Sequence, residues 1–180
     1  MEVVHTKISG VILFKPRFFQ DNRGSLYESW RYDSYKEHGL CDDFLQDNIS
    51  LSSRHVLRGL HLQLGGAEQG QILTPVDGEV FDVCVDIRKT SPTFGQYVSF
   101  NLRAEQPCQV YMPPGIAHGY CVLSERAILH YKCTKYYTPQ YETGILWNDP
   151  QLNIKWPISN PILSEKDEKN ITFQKFMEIL

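Results

Sequence analysis

The chain is 180 residues long and 42% hydrophobic, enough to bury a core in one domain spanning residues 1–180 without disulfide staples. A formal net charge of −3 excludes the broad basic field of a nucleic-acid binder. No apolar run reaches the roughly eighteen residues that cross a membrane, and the N-terminus lacks the apolar stretch of a signal peptide, so a cytosolic protein is expected.

Short β-rich runs follow one another along the chain. Residues 11–14 are apolar and closed by Pro16, and residues 25–30 read as a strand after the turn Asp21-Asn22-Arg23-Gly24. Residues 32–38 suit a short helix. Runs 71–76 and 79–87 flank Asp77-Gly78, the strongest short hairpin signal in the chain. In the second run, alternation sends Phe81, Val83 and Val85 to one face and Asp82, Cys84 and Asp86 to the other. Further strands are predicted at 97–102, 108–112, 118–123 and 127–134. A helix from Glu165 to the C-terminus would gather Ile171, Phe173, Phe176 and Met177 on one face. Many short strands separated by turn residues indicate an all-β sandwich or barrel. Periodicity alone leaves jelly-roll and immunoglobulin-like topologies open.

Five cysteines, Cys41, Cys84, Cys108, Cys121 and Cys133, show no CxxC spacing and are expected as reduced thiols in or near the core. Arg58-Gly59-Leu60-His61-Leu62-Gln63 is the first dense cluster of chemistry-bearing residues. In an extended segment His61 and Gln63 share a face, and Gly59 permits close backbone approach. An imidazole there suits proton transfer near neutral pH, or is a half-buried histidine bonded to backbone. Pro114-Gly115-Ile116-Ala117-His118 has the P-x-G-x-x-H spacing of a cupin's second motif. The first motif carries Gln63 where metal cupins have a second His. His61, His118 and Glu68 are the ligand set open to a metal, but a Gln amide is a poor transition-metal ligand and none is expected. Ser164 and Asp167 read as a helix cap, or Asp167 holds the histidine's other ring nitrogen. Tyr131 is either a packed strand aromatic or a proton donor facing a barrel interior. Arg23, Arg58, Gln46 and Asn48 suit a diphosphate and a base or sugar edge.

Taken together, Phe19-Gln20-Asp21-Asn22-Arg23-Gly24, the 44–50 segment, Arg58-Gly59-Leu60-His61, Gly78-Glu79-Val80-Phe81-Asp82, Pro114-Gly115-Ile116-Ala117-His118-Gly119, Tyr131-Lys132, Trp147-Asn148-Asp149-Pro150 and Ser164-Glu165-Lys166-Asp167 resemble, in one colinear order, the dTDP-4-dehydrorhamnose 3,5-epimerase family. The resemblance implies an all-β double-stranded β-helix of the cupin or jelly-roll type, with a few short helices including one at the C-terminus. It implies a homodimer, no cofactor, and a nucleotide-diphosphate 4-keto sugar as substrate. It assigns His61 as base, Asp167 as its orienting partner and Tyr131 as the acid on the opposite face. Asp82 falls at a buried acidic position and His118 at a second barrel histidine that shapes the pocket. Arg58, Gln46 and Asn48 would hold the nucleotide diphosphate and base. Arg23 and Glu28 would reach in from the partner, with Phe19 near the base. One position departs from the family: after Gln69-Gly70 it usually carries Lys to stabilise the enolate oxygen, and this chain has Gln71. Lys132 or His118 is left to compensate. Otherwise the activity is confined to one carbon or a keto-heptose, or the chain is a non-catalytic sugar-nucleotide binder.

Overall fold

In the computed structural model, which describes residues 1–180, the first strands are β1 (Glu2–His5), β2 (Ile12–Lys15), β3 (Phe18–Asp21) and β4 (Gly24–Tyr27), followed by helix α1 (Tyr32–Lys36). Next come β5 (Gln46–Ser53), β6 (Leu57–Gln63), β7 (Gln71–Asp77), β8 (Glu79–Asp86), β9 (Tyr97–Arg103), β10 (Gln109–Met112), β11 (Ile116–Val122) and β12 (Arg126–Cys133). The chain closes with β13 (Glu142–Gly144), α2 (Glu165–Glu168) and α3 (Phe173–Ile179). No helix is long and apolar enough to cross a membrane.

The strands form two large antiparallel sheets, ordered β1-β2-β10-β7-β12-β5 and β13-β6-β11-β8-β9. From β5 to β8, and again from β10 to β12, each strand lies in the sheet opposite its predecessor's. That alternation is the double-stranded β-helix of a jelly roll. It also corrects the hairpin expected at Asp77-Gly78. Both edges of β7 are taken by β10 and β12, and both edges of β8 by β11 and β9. Asp77-Gly78 therefore serves as a corner between sheets. Gly78 has φ +77°, and a Cβ there would lie 2.1 Å from the Arg126 carbonyl oxygen.

The predicted alternation along β8 holds. Val80 and Cys84 pack between the sheets with Leu73, Val110, Leu129 and Tyr120. Val83 and Val85 pack on the outer side under Phe173 and Phe176 of α3. A third cluster, Phe14, Tyr35, Leu40 and Ile72, covers the outer face of the six-stranded sheet near β2. All five cysteines are free thiols. Cys84, Cys121 and Cys133 are buried and Cys108 half-buried, but Cys41 is exposed, contrary to the expectation that all lie in or near the core.

The expected single C-terminal helix is broken. Ile171 is drawn out to pair with Ile145, its N–H donating to Gly144 O at 3.2 Å, and Thr172 starts α3 by capping Lys175 N. On the other side of α2, Leu57 N donates to Ile162 O at 3.0 Å. The short helix α2 is thus anchored at both ends to the β6 side of the barrel.

Candidate active site

Apolar side chains fill only part of the space between the sheets. The rest is a cavity of about 350 Å³ with Leu73, Met112 and Ile116 among its floor residues. Its walls come from six strands: Gln46, Asn48 and Ser50 on β5, Arg58, His61 and Gln63 on β6, Gln71 on β7, His118 and Tyr120 on β11, Tyr131 and Cys133 on β12, and Glu142 on β13.

Strict alternation would put Arg58 and His61 on opposite faces of β6. The strand is irregular between them: His61 pairs with His118, but Arg58 pairs with Tyr120, so the register slips by one. Gly59 sits at the slip with φ +133°, and a Cβ there would lie 2.5 Å from Gly119 Cα. The slip lets both polar side chains line the cavity while Leu60 and Leu62 pack on the outer side.

His61 Nε2 donates a hydrogen bond to Asp167 Oδ1. Ser164 Oγ accepts from Asp167 N at 3.1 Å, so one residue both completes the helix cap and holds the imidazole. Burial pushes the Asp167 carboxyl up, but the hydrogen bond and charge of His61, with Ser164 and Lys166, outweigh it and hold the group below its ordinary value. Since a carboxylate only accepts, Nε2 carries the proton and Nδ1 is left with its lone pair. A second pair lies beside the first: His118 Nε2 meets the fully buried Asp82 Oδ2 at 2.6 Å. Across the cavity, burial raises the phenol of Tyr131, with smaller contributions from Cys133 and Tyr120 and an opposing one from Arg58. Tyr131 therefore keeps its proton through neutral pH.

Around these groups the amides are tethered. Gln46 Nε2 donates to Asn48 Oδ1 at 3.0 Å, and Gln71 Nε2 to Gln69 Oε1 at 3.2 Å. Arg58 is exposed, its Nε donating to Ser52 Oγ at 3.1 Å. Lys132 does not reach the cavity. Alternation along β12 turns it outward, where Nζ lies 2.8 and 3.0 Å from the Asp47 carboxylate oxygens, so it cannot stand in for a lysine at position 71. Glu68 accepts from Gly66 N, and no three His, Cys, Asp or Glu side chains are grouped to hold a metal.

Three named residues stand apart from this cavity. Phe19 and Arg23 belong to the outlying two-stranded ribbon β3-β4, and Glu28 follows it. Arg23 Nε donates to Asp21 Oδ2 at 3.1 Å, Glu28 accepts from Arg31 Nε at 2.9 Å, and Phe19 lies half exposed under Arg17. Sequence reasoning missed Ser50, Tyr120, Tyr137 and Glu142. Tyr120 was reachable by alternation from His118, and Ser50 from Asn48. Glu142 lies on a three-residue strand that leaves no periodic signal.

The sequence profile of the dTDP-4-dehydrorhamnose 3,5-epimerase family matches residues 5–175. The dTDP-4-dehydrorhamnose 3,5-epimerase of Shigella flexneri is 49% identical over 179 residues, covering 99% of this chain and 97% of that one. The crystal structure of dTDP-6-deoxy-D-glucose-3,5-epimerase from Legionella pneumophila, in complex with dTDP-4-keto-L-rhamnose, superposes with a TM-score of 0.95 at 43% identity, covering 99% of this chain and 96% of that one. A 3′-monoepimerase from Streptomyces bikiniensis, in complex with dTDP-quinovose, gives a TM-score of 0.91 at 32% identity, covering 97% and 89%. With matches of this extent in both sequence and fold, the chain belongs to the dTDP-4-dehydrorhamnose 3,5-epimerase family.

Proposed function

We propose that the chain epimerises a nucleotide-linked 4-keto-6-deoxy sugar at C3, C5 or both, without a cofactor, in deoxysugar biosynthesis. The observation that carries this reading is the two-sided chemistry of the cavity, with the His61–Asp167 pair on one sheet and Tyr131 on the other. The C4 ketone acidifies the protons on C3 and C5. His61 Nδ1 takes one of them, the C–H electron pair becomes the double bond of an enolate, and the negative charge settles on O4. Asp167 steadies the imidazolium that forms. Tyr131 returns its phenolic proton to the same carbon from the opposite face, inverting it. Solvent then reprotonates the phenolate and removes the proton from His61. Positioned acid–base groups of this kind contribute about 10²- to 10⁴-fold.

Arg58 serves the diphosphate, with Gln46 and Asn48 towards the base or sugar edge. Gln71 is the donor for O4, and His118, held by Asp82, shapes the pocket. A homodimer in the cytosol completes the reading, with Phe19, Arg23 and Glu28 of each copy serving the cavity of the other. Ile49 and Leu51, 73% and 66% exposed on the edge strand β5, favour burial against a second copy.

A second reading, inversion at one carbon only, draws on Gln71. No lysine lines the cavity, so the enolate oxygen meets neutral amide donation there. Proton NMR of candidate 4-keto-6-deoxy sugar nucleotides in heavy water tests both. Exchange at C3 and C5 supports the double epimerase, exchange at one position the single one. Binding without exchange at either carbon would make the chain a binding module.

A further inference from the structure

Tyr120 lines the cavity without a part in the proton transfers, and its ring and its hydroxyl answer to different needs. The ring packs between the sheets with Val80, Cys84 and Leu129, where a phenylalanine would pack as well. The hydroxyl crosses to the opposite sheet, 2.9 Å from Ser50 Oγ and 3.4 Å from Ser52 Oγ on β5. Arg58, the register partner of Tyr120 on β6, makes the same crossing, its Nε donating to Ser52 Oγ at 3.1 Å. Tyr120 and Ser52 are 5% and 6% exposed, so the junction is shut off from bulk water.

A guanidinium only donates, so Ser52 Oγ accepts from Arg58. The Ser52 proton is then free for Tyr120 Oη, and the Tyr120 proton goes to Ser50 in the shorter bond. In this order each of these two hydroxyls accepts once and donates once, and Ser52 is fixed between Tyr120 and Arg58. Arg58 differs from most other arginines of the chain. Arg23, Arg31, Arg88, Arg103 and Arg126 each form an ion pair with a carboxylate, whereas Arg58 meets only Ser52 and lines the cavity. Held at Nε, it keeps both terminal nitrogens for the oxygens of a phosphate. A free arginine loses rotamer freedom on clasping an anion; one already held loses less.

We infer that Tyr120 is a positioning residue for the substrate's diphosphate: its hydroxyl fixes Ser52, and Ser52 fixes the Arg58 guanidinium before the substrate arrives. The inference rests on the assignment of Arg58 to the diphosphate in the epimerase reading above. β5 is an edge strand bonded to β12 alone, and Tyr120 and Arg58 tie it across the cavity to the facing sheet. Neither Tyr120 nor Ser52 hydrogen-bonds to His61 or Tyr131, so loss of the junction falls on diphosphate binding and leaves the proton transfers in place.

The test measures the Kd of dTDP by calorimetry, and kcat and KM for deuterium exchange on a dTDP-linked 4-keto-6-deoxy sugar. It compares the wild type with Tyr120→Phe, Ser52→Ala, Arg58→Ala and the double variant Tyr120→Phe/Arg58→Ala. Tyr120→Phe is expected to raise both the Kd and KM about three- to tenfold, the size of one hydrogen bond, with kcat within about twofold of the wild type. Ser52→Ala should do the same, and reaches the junction from the other side should Tyr120→Phe fold poorly. Once Arg58 is alanine, Tyr120→Phe should weaken dTDP binding by less than about twofold more, because its effect passes through the guanidinium. A lowered Tm with Kd and KM unchanged would make the hydroxyl a purely structural bond and overturn the inference. So would a full Tyr120→Phe loss in the absence of Arg58, or dTDP binding by Arg58→Ala equal to that of the wild type. If no protein exchanges the sugar, the epimerase reading fails, and the Kd values for dTDP alone decide on Tyr120.

Discussion

His61 and His118 face each other in register on β6 and β11, and each gives Nε2 to a carboxylate. Their surroundings differ. The His61 side chain is 33% exposed, and its partner Asp167 arrives from a helix 106 residues along the chain. His118 is 15% exposed, and its partner Asp82 lies fully buried on the neighbouring strand, in the polar layer above the inter-sheet core. A histidine–aspartate pair is thus not enough to make a base. What separates the two is exposure to the cavity, and on the present account the more open imidazole, His61, is the one that meets the sugar. His118 shapes the wall of the pocket instead.

The largest expected effects break the first pair. His61→Asn should abolish measurable hydrogen exchange at the sugar, and Asp167→Asn should lower kcat by about 10²- to 10⁴-fold by releasing the tautomer, both read by deuterium incorporation. Next in size is Gln71→Lys. Placing a cation beside the enolate oxygen should raise the exchange rate at least about tenfold or add a second exchanging carbon, given that oxyanion donors are worth about 10²- to 10³-fold. An unchanged rate and product would show that the amide is no handicap. His118→Asn, whose amide still donates to Asp82, should cost about tenfold or less in exchange.

The smallest effect concerns pH and stability. Asp167 is held below the 3.8 of a free aspartate, so its contribution to folding is complete above about pH 4 and is lost as pH falls through the lower folded value. The Tm difference between wild type and Asp167→Asn should therefore shrink as the pH is lowered below about 4. A difference that grows on acidification would reverse the sign of the electrostatics described here.

Strands with an apolar inner face were legible from alternation alone, as at β8, where Val83 and Val85 turn out under α3 and Cys84 turns in. β5 was not read as a strand because its pattern is inverted. Its inward residues Gln46, Asn48 and Ser50 are polar because they line a cavity, while Ile49 and Leu51 face out. The same inversion that hid the strand marks the site. Asp77-Gly78 carries hairpin chemistry, but pairing partners far along the chain decide which sheet each arm joins. The slip at Gly59 brings Arg58 and His61 to one face, which no local periodicity states. The reach of Asp167 to His61 depends on the anchors at Ile162 and Ile171, both set by tertiary contacts. Residue identities in colinear order pointed to these side chains; only the fold supplies the reason they meet.

The central claim, that the two pairs differ in kind, is tested most directly by following deuterium wash-in at C3 and C5 of the bound sugar by NMR in the wild type, His61→Asn and His118→Asn. The account predicts exchange lost in the first variant and retained, within about tenfold, in the second. Exchange retained in His61→Asn and lost in His118→Asn would assign the base to the other pair and contradict the account.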